Sequence, residues 1–433
     1  MSFVDVSVVI ATRNRVGDLC ETLSQLLAFD WVQPGRIFVV DNASADDTVR
    51  RVRAEFPGVR LIERSTNGGP VAKNDGLDLV ETNYVLFLDD DSVPRPGSVE
   101  RSRDYFEKDS QLGAVGFDAV LPTGAHECNA YPGVFIGCGA MLRMKAVRQV
   151  GGLPWDFFMQ AEEYDLTLRL MDAGWGVVLR RECVVDHRKT PVSRQSDRTA
   201  RLDVRNNLLL IARRMPMELV PELAIGWMTR YFWMLRDNGQ LKSFVLGLTE
   251  GLVRGAWALV TPFGLGGRRA VSMKTAERFL LSREIRLALG RTTARVLILG
   301  LGKNAVGVIR EARRQGVEVM AVVDEKTSGI AGRKFMGVPV LGEAAGLKLV
   351  AERNVDGATI AAVIGHGSWV LAEKTKQHWT RLLAVPVLDA LDYMESVGAE
   401  FTGAEFTGDK LTGADRAEAE SRRTVARSAS RAA

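Results

Sequence analysis

Short apolar runs alternate with amphipathic stretches from residue 5 to residue 91, and this rhythm constrains the fold more than any other feature. Residues 5–11 (containing VSVVIA), 36–40, 59–63 and 84–88 read as strands. Residues 18–27, 46–56 and 70–80 read as helices between them. Apolar strands joined by helices at this spacing predict an α/β fold, a largely parallel sheet with helices on both faces. Ligands in such sheets bind beyond the carboxyl ends of the strands. Asp41 ends the second run, and the acidic triplet Asp89-Asp90-Asp91 follows the fourth.

The later sequence is less uniform. Residues 112–190 are mixed, with a helix expected over 162–171 and closed by Gly174. Residues 200–290 read as mainly helical. A second strand-helix pattern starts near Ala294, with strands expected at 295–299, 318–323, 338–341 and 359–364. The expected domains are therefore 1–215, a helical, aromatic-rich 216–291, a Rossmann-like 292–396, and a tail at 397–433. The tail repeats itself (GAEFTG, AEFTG, GDKLTG) and is expected to be disordered, with a short isolated helix over 414–421.

The chain has 433 residues, room for two or three domains. Lys plus Arg number 57 against 53 Asp plus Glu, a balance of +4 that does not point to nucleic acid. Four cysteines without a CxxC pair suit a reduced, cytoplasmic chain. The N-terminus lacks the basic-then-apolar order of a signal peptide, and no uninterrupted apolar run reaches transmembrane length. Residues 217–263 carry Trp227, Tyr231, Phe232, Trp233, Phe244, Trp257 and Phe263, interrupted by charges. They read either as helices packed on the first domain or as a surface dipping into lipid headgroups.

Alternation along an extended chain puts Asp89 and Asp91 on one side and Asp90 on the other. Carboxylates so placed can hold Mg²⁺ or Mn²⁺ and, through it, a diphosphate. A solvated, capping acidic turn would look the same. Asp41-Asn42 could pair with a base ring. Asn67-Gly68-Gly69-Pro70 opens a helix whose N–H groups could meet an anion, with Lys73 in its first turn and Asn74 able simply to satisfy backbone groups. A second cluster, Glu162, Glu163 and Asp165, begins a helix. There it could match the helix dipole or, behind Trp155-Asp156-Phe157-Phe158, face a sugar-binding wall.

VSVVIATRNR, VVDNASADDT, STNGGPVAKNDGL, YVLFLDDDSVPRPG, GGLPWDFFMQAEEYDLTLRLMDAGW and VVDHRKT, in this order, closely resemble family 2 glycosyltransferases of the type A fold. The resemblance covers about residues 4–215. It implies that Thr12, Arg15, Asp41 and the Asn67 turn hold a nucleotide-sugar donor, such as a UDP- or dTDP-sugar. Asp89 would lie near the ribose, Lys73 near the diphosphate, and Asp91 with His187 on Mn²⁺ or Mg²⁺. Asp90, grouped with the donor residues, reads as serving local structure. The family's usual Glu-Asp appears here as Glu162-Glu163, so Glu163 takes the position of the catalytic base, with Glu162 the alternative. Asp165 would orient the helix through Arg169. The implied reaction is an inverting single displacement.

RNNLLLIARRMP (205–216) resembles the region after the catalytic domain in rhamnosyl- and galactofuranosyl-transferring relatives. That implies a saccharide or polyprenyl-diphosphate-linked acceptor in bacterial surface polysaccharide synthesis, and a site on the inner membrane face; a homo-oligomer is allowed for. GLGKNA (300–305) with Asp324 looks like the nucleotide-binding domain of surface-sugar biosynthesis proteins, where it would either hold a nucleotide or serve structure. Two rival readings are a sugar-phosphate nucleotidyltransferase and a non-catalytic scaffold.

Overall fold

A computed structural model describes residues 5–189, 196–261, 267–324, 332–353 and 359–396. The repetitive tail, the 414–421 helix and Phe263 lie outside these residues.

The first unit runs β1 (Val6–Thr12), α1 (Val16–Leu27), β2 (Ile37–Asp41), α2 (Thr48–Glu55), β3 (Arg60–Glu63), α3 (Lys73–Leu77), β4 (Tyr84–Asp89), β5 (Ser92–Pro94) and α4 (Ser98–Lys108). It continues with β6 (Leu112–Val120), β7 (His126–Glu127), β8 (Gly139–Arg143), α5 (Met144–Val150), α6 (Glu162–Asp172) and β9 (Gly176–His187). The strands form one sheet in the order β3-β2-β1-β4-β8-β6-β9-β5, with β7 paired to β6. β1 pairs in parallel with both β2 and β4. The order therefore reverses at the β1/β4 boundary, where an open α/β sheet forms its ligand crevice. β8 then runs antiparallel to β4, and β9 parallel to β6. The expected helix over 70–80 is shorter than its pattern. A 3₁₀ turn spans Gly69–Ala72, and α3 follows.

Three long helices follow, α7 (Ser196–Arg214), α8 (Val220–Asp237) and α9 (Leu241–Val260), and then two short ones, α10 (Met273–Phe279) and α11 (Ser282–Leu289). A second sheet is built from β10 (Arg295–Leu299), α12 (Ala305–Arg314), β11 (Glu318–Val323), β12 (Lys334–Phe335), β13 (Val338–Leu341), α13 (Glu343–Arg353), β14 (Ile360–Ile364), α14 (Trp369–Leu382), β15 (Val387–Leu388) and α15 (Leu391–Ser396). Its order is β12-β13-β11-β10-β14-β15, parallel apart from β12. One apolar core crosses all these units. Tyr131 and Tyr164 of the first, Trp227 and Phe279 of the helices, and Val306 and Phe335 of the second α/β unit belong to the same buried cluster.

Candidate functional site

Both strands at the order reversal deliver side chains into one crevice. β4 ends at Asp89, and the short β5 turns back so that Ser92 pairs with His187 at the end of β9. This register brings a residue almost a hundred positions away beside the triplet. His187 Nε2 lies 3.3 Å from Asp91 Oδ1. Single ligand atoms from Asp89, Asp91 and His187 all lie within 4.8 Å of one another. Two carboxylate oxygens and an imidazole suit Mn²⁺ or Mg²⁺.

The environment keeps this cluster charged in a defined way. Burial works against ionised Asp91, yet hydrogen bonds from His187 and Arg15 hold its carboxyl well below the usual range. Arg15 Nη2 is 2.5 Å from Asp91 Oδ2, and Nη1 is 2.7 Å from Asp90 Oδ1. Burial opposes the charge on His187 as well, but Asp91, Cys138 and Glu127 raise its pKa to about 12. Glu127, on the two-residue β7, bonds His187 Nδ1 at 2.5 Å. A metal would have to displace the Nε2 proton, and a carboxylate on Nδ1 would then hold the remaining proton there and leave Nε2 as the ligand atom. Glu127 was not legible in the sequence, because only the pairing of β7 to β6 brings it there.

Asp90 points the other way, as alternation requires. Its Oδ2 accepts from Thr12 Oγ1 at 2.7 Å, and burial lifts its pKa to about 7 against the pull of Arg15. Thr12, Arg15 and Asp90, all expected at the donor, thus bond one another around the acidic turn. Thr12 is buried with its hydroxyl bound to Asp90, and Arg15 pairs with Asp18, Asp90 and Asp91. Their observed contacts shape the acidic turn.

Asp41 is buried at the end of β2. Its Oδ2 accepts from the Ser44 N–H, while Oδ1 is buried without a hydrogen-bond partner. A buried carboxylate oxygen left open is a place for a ligand N–H. The neighbouring turn differs from expectation. The Gly68 and Gly69 N–H groups already bond the side-chain oxygens of Asn42 and Asn67, at 3.0 and 2.9 Å. Asn67 thus shapes the turn, and these two N–H groups are not aimed at an anion. Asn74 bridges the N–H and carbonyl of Leu153, a backbone role.

Lys73 is buried, and its Nζ reaches Asp89 Oδ1 at 2.9 Å and the Gly137 carbonyl at 2.7 Å. The same glycine donates its N–H to Glu163 Oε1 at 3.2 Å. The carbonyl and N–H of a single glycine thus join the Asp89–Asp91–His187 cluster, through Lys73, to the second acidic group. Burial raises the pKa of Glu163 above the ordinary carboxylate value. Glu162 is pushed further up, by burial and by Glu163, and its Oε2 is buried without a hydrogen-bond partner. Asp165 is different. Arg214 holds its Oδ1 at 2.6 Å and Arg169 its Oδ2 at 2.7 Å, with no exposure left. Asp165, grouped with the catalytic acids, is thus engaged through both oxygens by arginines, Arg169 one turn along α6 among them.

The loop before α6 is held under strain. Phe158, Gln160 and Ala161 have φ of 66°, 72° and 64°, a region costly for residues with a side chain. Asn206 of α7 compensates by donating to the carbonyls of Phe157, Met159 and Gln160 at 2.9, 2.7 and 2.8 Å. Arg205 donates to the Phe157 carbonyl at 2.6 Å. The sequence marked RNN without revealing that task. Of the expected aromatic wall, Trp155 is exposed under the Arg64 guanidinium, and Phe157 is buried in the core.

Gly300, Gly302 and Gly307 of the second α/β unit admit protein rather than open space. A Cβ at Gly300 would fall 2.0 Å from the His366 ring. Asp324, the acid expected at a ribose, accepts from the Leu301 N–H at 2.5 Å. Lys303 leaves the loop altogether. Its Nζ bonds Asn207 Oδ1 at 2.8 Å and lies 4.7, 5.1 and 5.6 Å from the rings of Tyr164, Trp227 and Tyr231. These contacts favour the structural use over a bound nucleotide.

The sequence model of Glycosyl transferase family 2 matches residues 7–120. A pre-mycofactocin glycosyltransferase of Mycobacterium tuberculosis is 28% identical over 39% of this chain and 40% of its own length. An N-acetylglucosaminyl-diphospho-decaprenol L-rhamnosyltransferase of the same organism is 23% identical over 56% of this chain and 93% of its own. The chain thus spans well under half the length of the first relative. Among solved structures, S. aureus TarS bound to UDP-GlcNAc aligns at 15% identity with a TM-score of 0.44, over 72% of this chain and 92% of that one. With the motifs and the strand-end acids in the order expected, residues 7–120 are a family 2 glycosyltransferase domain.

Proposed function

We propose that the protein transfers a sugar from a nucleotide-sugar donor to an acceptor hydroxyl, with inversion at the anomeric carbon. The observation that carries this reading is Gly137, which ties the donor-side pair Lys73–Asp89 to the carboxylate of Glu163. A base and a diphosphate site so linked can act on one substrate pair. Glu163 takes the acceptor proton, and the oxygen attacks from the face opposite the leaving diphosphate. Asp89, Asp91 and His187 would hold Mn²⁺ or Mg²⁺, which supplies charge for the leaving diphosphate. Asp41 would receive the base ring through its open oxygen. The name of the rhamnosyltransferase relative, whose acceptor is diphospho-decaprenol-linked, supports a lipid-linked saccharide as acceptor and a place at the inner membrane face.

The test is donor turnover by the full chain with a panel of UDP-, dTDP- and GDP-sugars and Mn²⁺ or Mg²⁺. At least one donor should be hydrolysed or transferred in a metal-dependent way. Asp91→Ala should abolish metal-dependent donor binding by calorimetry. Equal binding in Asp91→Ala would remove Asp91 from the site, and a wholly inert wild type, tried with lipid-linked acceptors, would remove the activity.

A further inference from the structure

α7 carries Arg198, Arg201 and Arg205 at intervals of three and four residues, which place them on one helical face. With Phe158 and Leu202 they line a cavity of about 300 Å³. The cavity is short of negative charge. Arg201 pairs with Glu250, while the Arg198 guanidinium stacks on the Phe158 ring, 4.2 Å from its centre. Arg205 is nine-tenths buried and bonds neutral acceptors, the carbonyls of Asp156 and Phe157 and the side-chain oxygen of Asn206. Arg254 adds a further cation against the Asp156 carbonyl. The Asp156 carboxylate itself is held by Arg213. Burial and the nearby Arg254 pull the Arg205 pKa down to about 10, as an under-compensated cation requires. The Arg201 Nε is also buried without a hydrogen-bond partner.

The position of the cavity connects it to the acceptor side. Phe158 forms its wall, and the Phe158 carbonyl is so close to Gly69 that a Cβ there would fall 2.6 Å away. Glu162 and Glu163 begin α6 four residues later. On the other flank, α7 meets α9 along glycines. Gly247 packs on the Arg201 carbonyl and Gly251 on that of Arg205. The outer side of α9 is left apolar and exposed, with Val253 at 67%, Trp257 at 63% and Val260 at 80%. α9 is also, among the described residues, the helix long and apolar enough to match a membrane's thickness.

We propose that this arginine-lined cavity is the subsite for the phosphate groups of a lipid-linked acceptor, whose hydrocarbon chain lies along the outer face of α9. The proposal rests on the glycosyltransferase reading. Guanidinium groups match phosphate oxygens in geometry and charge, and an apolar helix face beside them matches a chain that cannot stay in water.

The experiment uses the full chain without divalent metal, so that the Asp91 cluster takes no part. Pyrophosphate binding is measured by calorimetry for wild type and for Arg198→Gln/Arg201→Gln. Recruitment to phosphatidylcholine vesicles with and without an isoprenyl diphosphate is measured by flotation for both, and for Trp257→Glu. Loss of the two guanidinium groups should weaken pyrophosphate binding by about tenfold or more. It should also remove the extra recruitment due to isoprenyl diphosphate. Trp257→Glu should reduce flotation and keep pyrophosphate binding. Equal pyrophosphate binding in wild type and the double variant overturns the subsite. Pyrophosphate binding without isoprenyl-diphosphate recruitment overturns the lipid as its source. Nucleotide-sugar turnover by wild type with Mn²⁺ is scored separately and judges the underlying activity alone.

Discussion

Glu163 and Glu162 are adjacent in sequence and unequal in surroundings. Glu163 has a hydrogen bond from the Gly137 N–H; the Oε2 of Glu162 is buried without one. Glu163→Gln should keep donor affinity and lower transfer by about 10²–10⁴-fold, the usual worth of a general base; kcat and donor Kd measured together check it, and retained transfer would move the role to Glu162. Burial raises the Glu163 pKa, and a base works only when ionised. The transfer rate should therefore rise with pH along a limb above the ordinary glutamate value of 4.5. Stability runs the opposite way. A raised folded pKa means that the fold holds a proton the unfolded chain releases, so this contribution is complete below the unfolded pKa and is lost as pH climbs through the folded one. Acids at strand ends were legible because a strand's end is a local property. The bonds of Thr12 and Arg15 to the triplet were not, since they join residues more than seventy positions apart.

At the scale of elements, the loop of residues 155–161 depends on α7 for its shape. Asn206→Ala removes the donor that serves three carbonyls beside three left-handed residues. It should cost about 2–3 kcal/mol of stability, at roughly 1 kcal/mol per hydrogen bond. It should also lower kcat more than donor affinity, because the loop leads into Glu162 and Glu163. Urea unfolding with steady-state kinetics checks both, and an unchanged kcat would leave Asn206 a purely structural residue. Periodicity sufficed to foresee α6, β1 to β4, and β10, β11, β13 and β14 to within about two residues, but not β5 to β9, β12 or β15, which lie in short or mixed stretches. It could not foresee that residues 70–80 begin as a 3₁₀ turn, which Pro70 at its second position favours by lacking an N–H. Nor could it show which face of α9 meets protein, since both faces are apolar; only the glycine contacts with α7 decide that.

At the scale of the whole molecule, Lys303 couples the second sheet to the first unit. Burial lowers its pKa from 10.5 to about 8. The cost of burying the ammonium is thus complete below about pH 8 and is relieved as pH rises toward 10.5. The melting temperature of wild type should gain on that of Lys303→Met over this window, and parallel curves would show that the ammonium does not titrate there. Other contacts cross the same boundary: Cys128 meets Ser368, Tyr131 donates to the Lys303 carbonyl, and Arg230 donates to the Leu301 carbonyl. The glycine loop at 300–305 resembled a ligand cradle because sequence shows which residues permit close approach but not what approaches. The shared cluster around Tyr131, Trp227 and Phe279 has a practical corollary. Shortening the chain to its first 291 residues would leave an aromatic-walled hole open to water, and the poor solubility of such a fragment would be a fact about its missing neighbour, not about its catalytic competence.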